Sequence, residues 1–195
     1  MIPVPKIKNQ LETYINRYIP FSDEETDSFF KYLVINSYSK KEILLETNQV
    51  CKNHYFIISG IVRAHYINEK GTDKIIQFAI ENWWITNLES YVRETPSNFT
   101  IDTLEKSTIL SISKDNLEKA FIEIPKLERL FRIIAENTLV AIQRKNEFYM
   151  KLSSKERFLT LQRDIPDFLQ RVPMYMIASY LDITPEYLSE IRKNL

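Results

Sequence analysis

Apolar positions repeat with two different periods along this chain, and the change of period divides it. Near the N-terminus the period is helical. Leu11, Tyr14, Ile15 and Tyr18 share one face of a helix expected over residues 9–19, which Pro20 stops. Ser22-Asp23-Glu24-Glu25 reads as a capping box that opens a second helix, with Phe29, Phe30, Leu33 and Val34 turned inward. From Asn36 to Ser113 the pattern changes to short β-rich runs. These are Glu42–Leu45, Tyr55–Ser59, Ile61–Ile67, Lys74–Ile80, Phe99–Leu104 and Thr108–Ile112. Many short strands in series predict an all-β sandwich or roll. Asn68-Glu69-Lys70-Gly71 supplies a hairpin turn with Gly71 at positive φ, and Gly60 breaks the run Phe56–Val62 at a strand junction.

The helical period returns at Ser113, which caps a short helix over Lys114–Ile122. Pro125 opens a long helix reaching Lys151. Its apolar stripe is Leu127, Leu130, Phe131, Ile134, Ala141, Ile142 and Phe148, flanked by Ile133, Leu139 and Val140. A helix of about 26 residues spans about 39 Å, more than a small domain needs. It can therefore pack both on its own domain and on a symmetry mate. Asn137 either fixes the register of such a dimer or faces solvent. Ser153-Ser154-Lys155-Glu156 is a hinge or cap before a helix over Arg157–Arg163, and Pro166 and Pro173 punctuate the approach to the C-terminal pair of helices.

The segment Val172–Leu195 carries the most specific pattern. A short helix ends at Leu181, Asp182-Ile183 makes a tight turn, and Thr184-Pro185-Glu186 opens a second helix with a hydroxyl cap, a first-turn proline and an early carboxylate. Ile177, Ala178, Leu181, Ile183, Leu188 and Ile191 fall where two crossed helices touch. This spacing fits a helix-turn-helix that places its second helix in the DNA major groove, and it also fits a generic helical hairpin.

Composition narrows the classes. The formal charge is +0 and the pI is about 6.8, which argues against nonspecific coating of nucleic acid but leaves room for a sequence-specific dimer. One cysteine, Cys51, excludes an intrachain disulfide framework and fits a reduced, cytoplasmic setting. No apolar run reaches about 18 residues, so no membrane span is expected. Two glycines leave no phosphate-cradling loop, and neither a metal-ligand motif nor a Ser-His-Asp arrangement is evident, so no enzyme is expected. His54 and His65, on runs adjacent in sequence, form no ligand cluster with other Cys, Asp or His, and no metal is expected. Cys51, beside Lys52, is either an oxidant sensor or, more ordinarily, structural.

Two segments together carry a family resemblance. Phe56–Ile85, with its strand, Gly, strand, acidic hairpin with Gly, strand and loop, and the tail with ITPEYLSEIRK resemble the cyclic-AMP receptor protein / FNR family of bacterial transcription regulators. The likeness spans nearly the full chain. The ENWW run and short domain linkage resemble a compact branch common in Bacteroidetes-type bacteria. The resemblance implies an α+β fold: a cyclic-nucleotide-binding-like double-stranded β-helix (jelly roll) flanked by helices over residues 1–124, a long dimerisation helix over 125–152, and a helix-turn-helix domain lacking a wing over 153–195. It implies a homodimer on double-stranded DNA, with RNA polymerase as a further partner and an unknown small-molecule effector. Leu127, Leu130, Phe131, Ile134, Asn137 and Ala141 are the expected dimer-helix residues. Half-sites would lie one DNA turn apart, about 34 Å.

The chain departs from the family at both functional ends. Cyclic-nucleotide binders place Gly-Glu at a short helix and Arg-Ser some residues later, so that the helix N-terminus and the Arg hold the phosphate. Here Thr86 and Asn87 stand at the Gly-Glu positions and Ser97, Asn98 and Phe99 at Arg-Ser-Ala, with Arg93 off register. A phosphate without a cation loses a charge-assisted pair worth about 1.5–3 kcal/mol, so cyclic AMP is not expected to bind. The candidate effector residues are Trp84, Thr86, Asn87, Arg93, Ser97, Asn98 and Phe99. Trp83, Trp84, Tyr91, Phe99, His65 and Tyr66 either wall an aromatic pocket or fill the roll. The candidate DNA-contact residues are Thr184, Pro185, Glu186, Tyr187, Ser189, Glu190, Arg192 and Lys193. Pro185-Glu186 stands where the family often holds Arg-Glu, and Glu190 where it holds a further Arg, so arginine-to-guanine reading is lost there; Glu186 or Glu190 suits cytosine N4, Ser189 suits purine or pyrimidine, and Arg192 and Lys193 suit phosphates. From Lys151 onward seven basic residues meet six acidic ones, a weak footprint for DNA. The alternative reading is therefore a small-molecule sensor whose DNA binding is weakened or lost.

Overall fold

The computed structural model describes residues 2–194; Met1, and Leu195 at the end of the C-terminal segment, lie outside the described residues. The first helix, α1 (Val4–Ile15), starts earlier than the 9–19 window because Pro3 caps it and Pro5 sits in its first turn, which brings Ile7 into the apolar face. Helix α2 (Asp23–Phe30) opens on the expected capping box of Ser22 and Glu25. It ends sooner than the apolar pattern implied. Leu33 is buried, but Val34 is 53% exposed and begins strand β1 (Val34–Tyr38), so Val34 does not turn inward on a helix. β-Branched Val34 and Ile35 pair with the last strand of the roll instead.

The next strands are β2 (Ile43–Leu45), β3 (Asn53–Ser59), β4 (Val62–Ile67), β5 (Asp73–Ala79) and β6 (Trp84–Ile85). After the short helix α3 (Leu88–Arg93) come β7 (Thr100–Thr103) and β8 (Ser107–Ser113). They form two four-stranded sheets, ordered β1-β8-β3-β6 and β2-β7-β4-β5. Strands distant in sequence are neighbours in space, as in a double-stranded roll. The pairing is antiparallel: His54 lies opposite Ile112 across β3 and β8, and Arg63 opposite Asp102 across β4 and β7.

Alternation along β3 fills both faces of the first sheet. Phe56 and Ile58 join Leu110 and Ile112 of β8 in a cluster with Leu11 and Ile15 of α1 and Phe29 of α2. Tyr55 and Ile57 face the second sheet, where the Tyr55 hydroxyl donates to the Leu44 carbonyl at 2.9 Å. Gly60 joins β3 to β4 at φ 103°, and a Cβ there would lie 2.1 Å from Ser107 Oγ, so both backbone and space demand glycine.

Ser113 caps α4 (Lys114–Glu123), and the long helix α5 (Lys126–Lys151) comes after it. Next come α6 (Ser154–Asp164), opened by a Ser153–Glu156 capping box, α7 (Phe168–Arg171), α8 (Met174–Tyr180) and α9 (Pro185–Lys193). Two compact units result. One runs to Tyr66 and from Phe78 to Ile134; the other joins Ile67–Gln77 to the chain from Ala135 onward. The tip of the β4–β5 hairpin thus belongs with the C-terminal helices. No helix among the described residues is long and apolar enough to cross a membrane.

Candidate functional site

Asn87 does what a short polar residue before a helix is suited to do: its Oδ1 accepts from the Ser90 amide at 3.2 Å and so caps α3. Its Nδ2 donates to Ser97 Oγ at 2.8 Å, and Ser97 Oγ donates to the Phe99 carbonyl at 2.6 Å. Thr86 Oγ1 donates to the Asn53 carbonyl at 2.9 Å and touches Cys51 Sγ at 3.2 Å. Thr86, Asn87 and Ser97 are therefore brought together, with the exposed Asn98 at their edge, and they satisfy one another and the backbone. Arg93 is not brought to them. Its side chain is 72% exposed and pairs with Glu89 at 3.7 Å.

The proposed aromatic wall divides in the same way. Trp83 and Tyr66 are exposed, and Phe99 is half-buried. Trp84 instead stacks with Phe56 and with Phe131 of α5, at centroid distances of 5.0 and 5.4 Å. His54 sits in this aromatic group, 4.3 Å from the Tyr91 ring and 5.9 Å from Phe131. Burial there pushes its imidazole down to about 4. His54 and His65 stand on strands of different sheets, so their nearness in sequence is not nearness within one sheet. Cys51 is buried, and its amide donates to Ser90 Oγ at 2.8 Å.

The roll also holds a charged cluster that sequence reasoning missed. Arg63 Nε and Nη2 donate to Asp102 Oδ1 and Oδ2 at 2.7 and 2.9 Å, a bidentate pair between neighbouring strands. His65 Nε2 lies 3.5 Å from Asp102 Oδ2, at the limit of hydrogen bonding. All three residues are at most 8% exposed. Burial alone would raise the Asp102 carboxyl, but its bonds to His65 and Arg63 outweigh that and hold it below its ordinary value. The signal was present in the sequence: Val62-Arg63-Ala64-His65 puts both basic side chains on one face, and Asp102 interrupts the apolar run Ile101–Leu104.

The stripe on α5 splits along its length. Leu127 and Leu130 are fully buried and Phe131 and Ile134 half-buried, all within the roll unit. Asn137 and Ala141 are exposed, as are the apolar Leu139, Val140 and Ile142 at 59%, 42% and 52%.

In the C-terminal unit, Ile177, Ala178, Leu181, Leu188 and Ile191 are buried and Ile183 half-buried. Asp182 takes φ 55°, the left-handed turn position that a short polar side chain tolerates. Thr184 Oγ1 accepts from the Tyr187 amide at 3.2 Å, and Pro185 comes next as the first helical residue. Glu186, Tyr187, Ser189, Glu190, Arg192 and Lys193 all lie exposed on α9. Ser189 Oγ donates to the Pro185 carbonyl at 2.9 Å, within its own helix. Arg157, not singled out from sequence, fastens α6 to the end of α8: its Nη1 donates to the Leu181 carbonyl at 3.0 Å and its guanidinium lies 5.0 Å from the Tyr149 ring.

Residues 35–123, from β1 to the last turn of α4, match the family described as the cyclic nucleotide-binding domain. Over that span the chain is similar to this domain family. Solved structures extend the likeness beyond it. FixK2 from Bradyrhizobium japonicum is 16% identical with a TM-score of 0.71, covering 84% of this chain and 84% of that one. The c-di-GMP responsive global regulator CLP of Xanthomonas campestris is 14% identical with a TM-score of 0.70, covering 89% of this chain and 91% of its own. A CooA mutant from Carboxydothermus hydrogenoformans is 16% identical with a TM-score of 0.68, covering 94% and 83%. At these identities the likeness is one of fold. No curated protein matches by sequence. The loop of Thr86, Asn87 and Ser97 carries neither the carboxylate nor the guanidinium that the family resemblance implies for a cyclic-nucleotide site.

Proposed function

We propose that the protein is a homodimeric, sequence-specific DNA-binding transcription regulator, without catalytic activity, whose cyclic nucleotide-binding domain answers to an effector other than cyclic AMP. One observation carries this reading: a capped helix, α9, offers six polar or aromatic side chains to solvent in a chain with the fold of known regulators. On DNA, Thr184 and Pro185 set the start of the helix. Glu186 and Glu190 accept from cytosine N4, Tyr187 and Ser189 meet base edges, and Arg192 and Lys193 hold phosphates. The exposed apolar stretch of α5 around Leu139, Val140 and Ile142 packs against the same stretch of a second copy, with Asn137 and Ala141 at the seam. A cytoplasmic protein working with RNA polymerase fits this role.

The case against cyclic AMP is electrostatic. Asn87 and Ser97 bond each other, Arg93 turns to solvent and Arg63 is bound by Asp102. Thermal unfolding with cyclic AMP or cyclic GMP at low micromolar concentration is expected to show no stabilisation, and a clear rise would overturn this part of the reading. The DNA-binding part is tested by selection from fragments of the source genome, followed by fluorescence anisotropy at several salt concentrations. An enriched palindrome with half-sites about 34 Å apart is expected. Arg192→Ala and Lys193→Ala should each weaken binding broadly and make the salt slope shallower by about 1. A sensor that has lost DNA binding is the second reading, favoured by the two carboxylates of Glu186 and Glu190 exposed on α9. Failure to enrich any sequence would support it.

A further inference from the structure

The tip of the β4–β5 hairpin is bonded to three separate parts of the C-terminal helices. In the sheet order β5 is an edge strand, and an edge strand leaves backbone groups that need partners. One hydroxyl supplies two of them. Ser179 Oγ of α8 accepts from the Ile75 amide at 3.2 Å and donates to the Asp73 carbonyl at 2.9 Å. Residues 73 and 75 are two apart on a strand, so their polar groups point to the same side. Ser179 thus stands in for a short stretch of neighbouring strand. Lys145 of α5 donates to the Ile76 carbonyl at 2.6 Å, with its ammonium 4.8 Å from the Tyr180 ring. Lys74 pairs with Asp182 in the α8–α9 turn at 2.9 Å.

These contacts differ in weight. The Lys74–Asp182 pair is 35% and 73% exposed, and such pairs contribute little. The Ile75 amide and Ser179 are partly buried, so removing the hydroxyl leaves a donor without water to replace it. Lys145 is likewise partly buried, and its bond to a carbonyl orients the strand rather than neutralising a charge.

We infer that the hairpin tip is a latch on α8: Ser179, assisted by Lys145, makes the hairpin and the α8–α9 turn open and close as one cooperative unit. Because the hairpin strands continue into the roll at Tyr66 and Phe78, a change in the course of β4 and β5 would reach the turn that positions α9. This regulatory role rests on the DNA-binding reading, whereas the latch itself does not.

The test is amide hydrogen exchange on the full chain, residue by residue, without DNA. In the wild type, the hairpin amides near Ile75 and the turn amides of Leu181 and Asp182 should open with the same free energy. Ser179→Ala should speed exchange at Ile75 about tenfold and raise exchange at the turn with it. Ser179→Thr, which keeps a hydroxyl, should restore protection. Unchanged exchange at Ile75 in Ser179→Ala, or a faster hairpin beside an unaltered turn, would overturn the latch. If the coupling is present but the protein selects no DNA, the latch stands and the DNA-binding reading falls.

Discussion

His54 offers a direct measurement of how tightly the first sheet packs against α3 and α5. Its ring lies among Tyr91, Trp84 and Phe131, and burial lowers its pKa from the ordinary 6.5 to about 4. A histidine held neutral in this way stabilises the fold fully above pH 6.5. As the pH falls from 6.5 towards 4, the unfolded chain takes up a proton that the folded chain refuses, so stability falls with it. Each tenfold in affinity for the proton is worth about 1.4 kcal/mol, so the loss is capped at about 3.4 kcal/mol, of which about 2.5 kcal/mol falls between pH 7.5 and 4.5. The perturbation is His54→Phe, which keeps an aromatic ring in the same place and removes the proton site. Urea unfolding at pH 7.5 and pH 4.5 gives the free energies. Carboxylates that titrate in the same window are common to both proteins and cancel in the comparison. The wild type should lose about 2.5 kcal/mol more than His54→Phe over that interval. Equal losses would refute the claim that His54 is buried and neutral among these rings.

Three further outcomes are expected from the geometry. Asp102→Asn leaves the Arg63 guanidinium buried without its counter-charge and should cost about 3–5 kcal/mol in chemical denaturation, whereas Arg63→Met combined with Asp102→Leu should recover most of that loss. Gly60→Ala sets a Cβ 2.1 Å from Ser107 Oγ at φ 103° and should destabilise by about 3 kcal/mol or more, while Gly71→Ala, at φ 72° with nothing within 4 Å, should cost about 1–2 kcal/mol; thermal melts of the two variants compare space with backbone strain. Leu139→Glu introduces a charge into the exposed apolar stretch of α5 and should convert the proposed dimer to a monomer in sedimentation velocity without lowering the stability of the roll.

Much of the fold was legible because local chemistry and tertiary packing agree. The caps at Ser22, Ser113, Ser153 and Thr184, the positive φ of Gly71 and Asp182, and the split between roll and helices all arise from short-range patterns. Errors arose where tertiary pairing overrode a local period. Leu33 and Val34 fit the apolar spacing of α2, yet β8 offers Val34 a ladder partner at Ser111, and the strand prevails. The candidate effector loop was half legible. Resemblance located Thr86, Asn87 and Ser97, which do meet, but a motif off register says nothing about orientation, and Arg93 points to solvent. The Arg63–Asp102 pair was hidden because its two halves lie 39 residues apart and become opposite only through the register of β4 with β7. The hairpin contacts were invisible for the same reason: Ser179 and Ile75 are 104 residues apart.

One apolar stripe on α5 divides into a buried part and an exposed part. Leu127 and Leu130 are wholly buried, and full burial of a leucine side chain contributes about 1.5–3 kcal/mol, so the first turns are anchored to the roll. Past Ala135 the described single chain offers no such burial to Leu139, Val140 or Ile142, and exposing three large aliphatic side chains over four positions is unfavourable unless a partner covers them. A uniform stripe of apolar residues is therefore divided, in succession, into core and exposed surface. Its first third is core, fixed by the same packing that holds Phe56 and Leu110. The exposed stretch offers a surface to the proposed second copy, and Lys145, three residues past Ile142 on the same helix, bonds the hairpin at the Ile76 carbonyl.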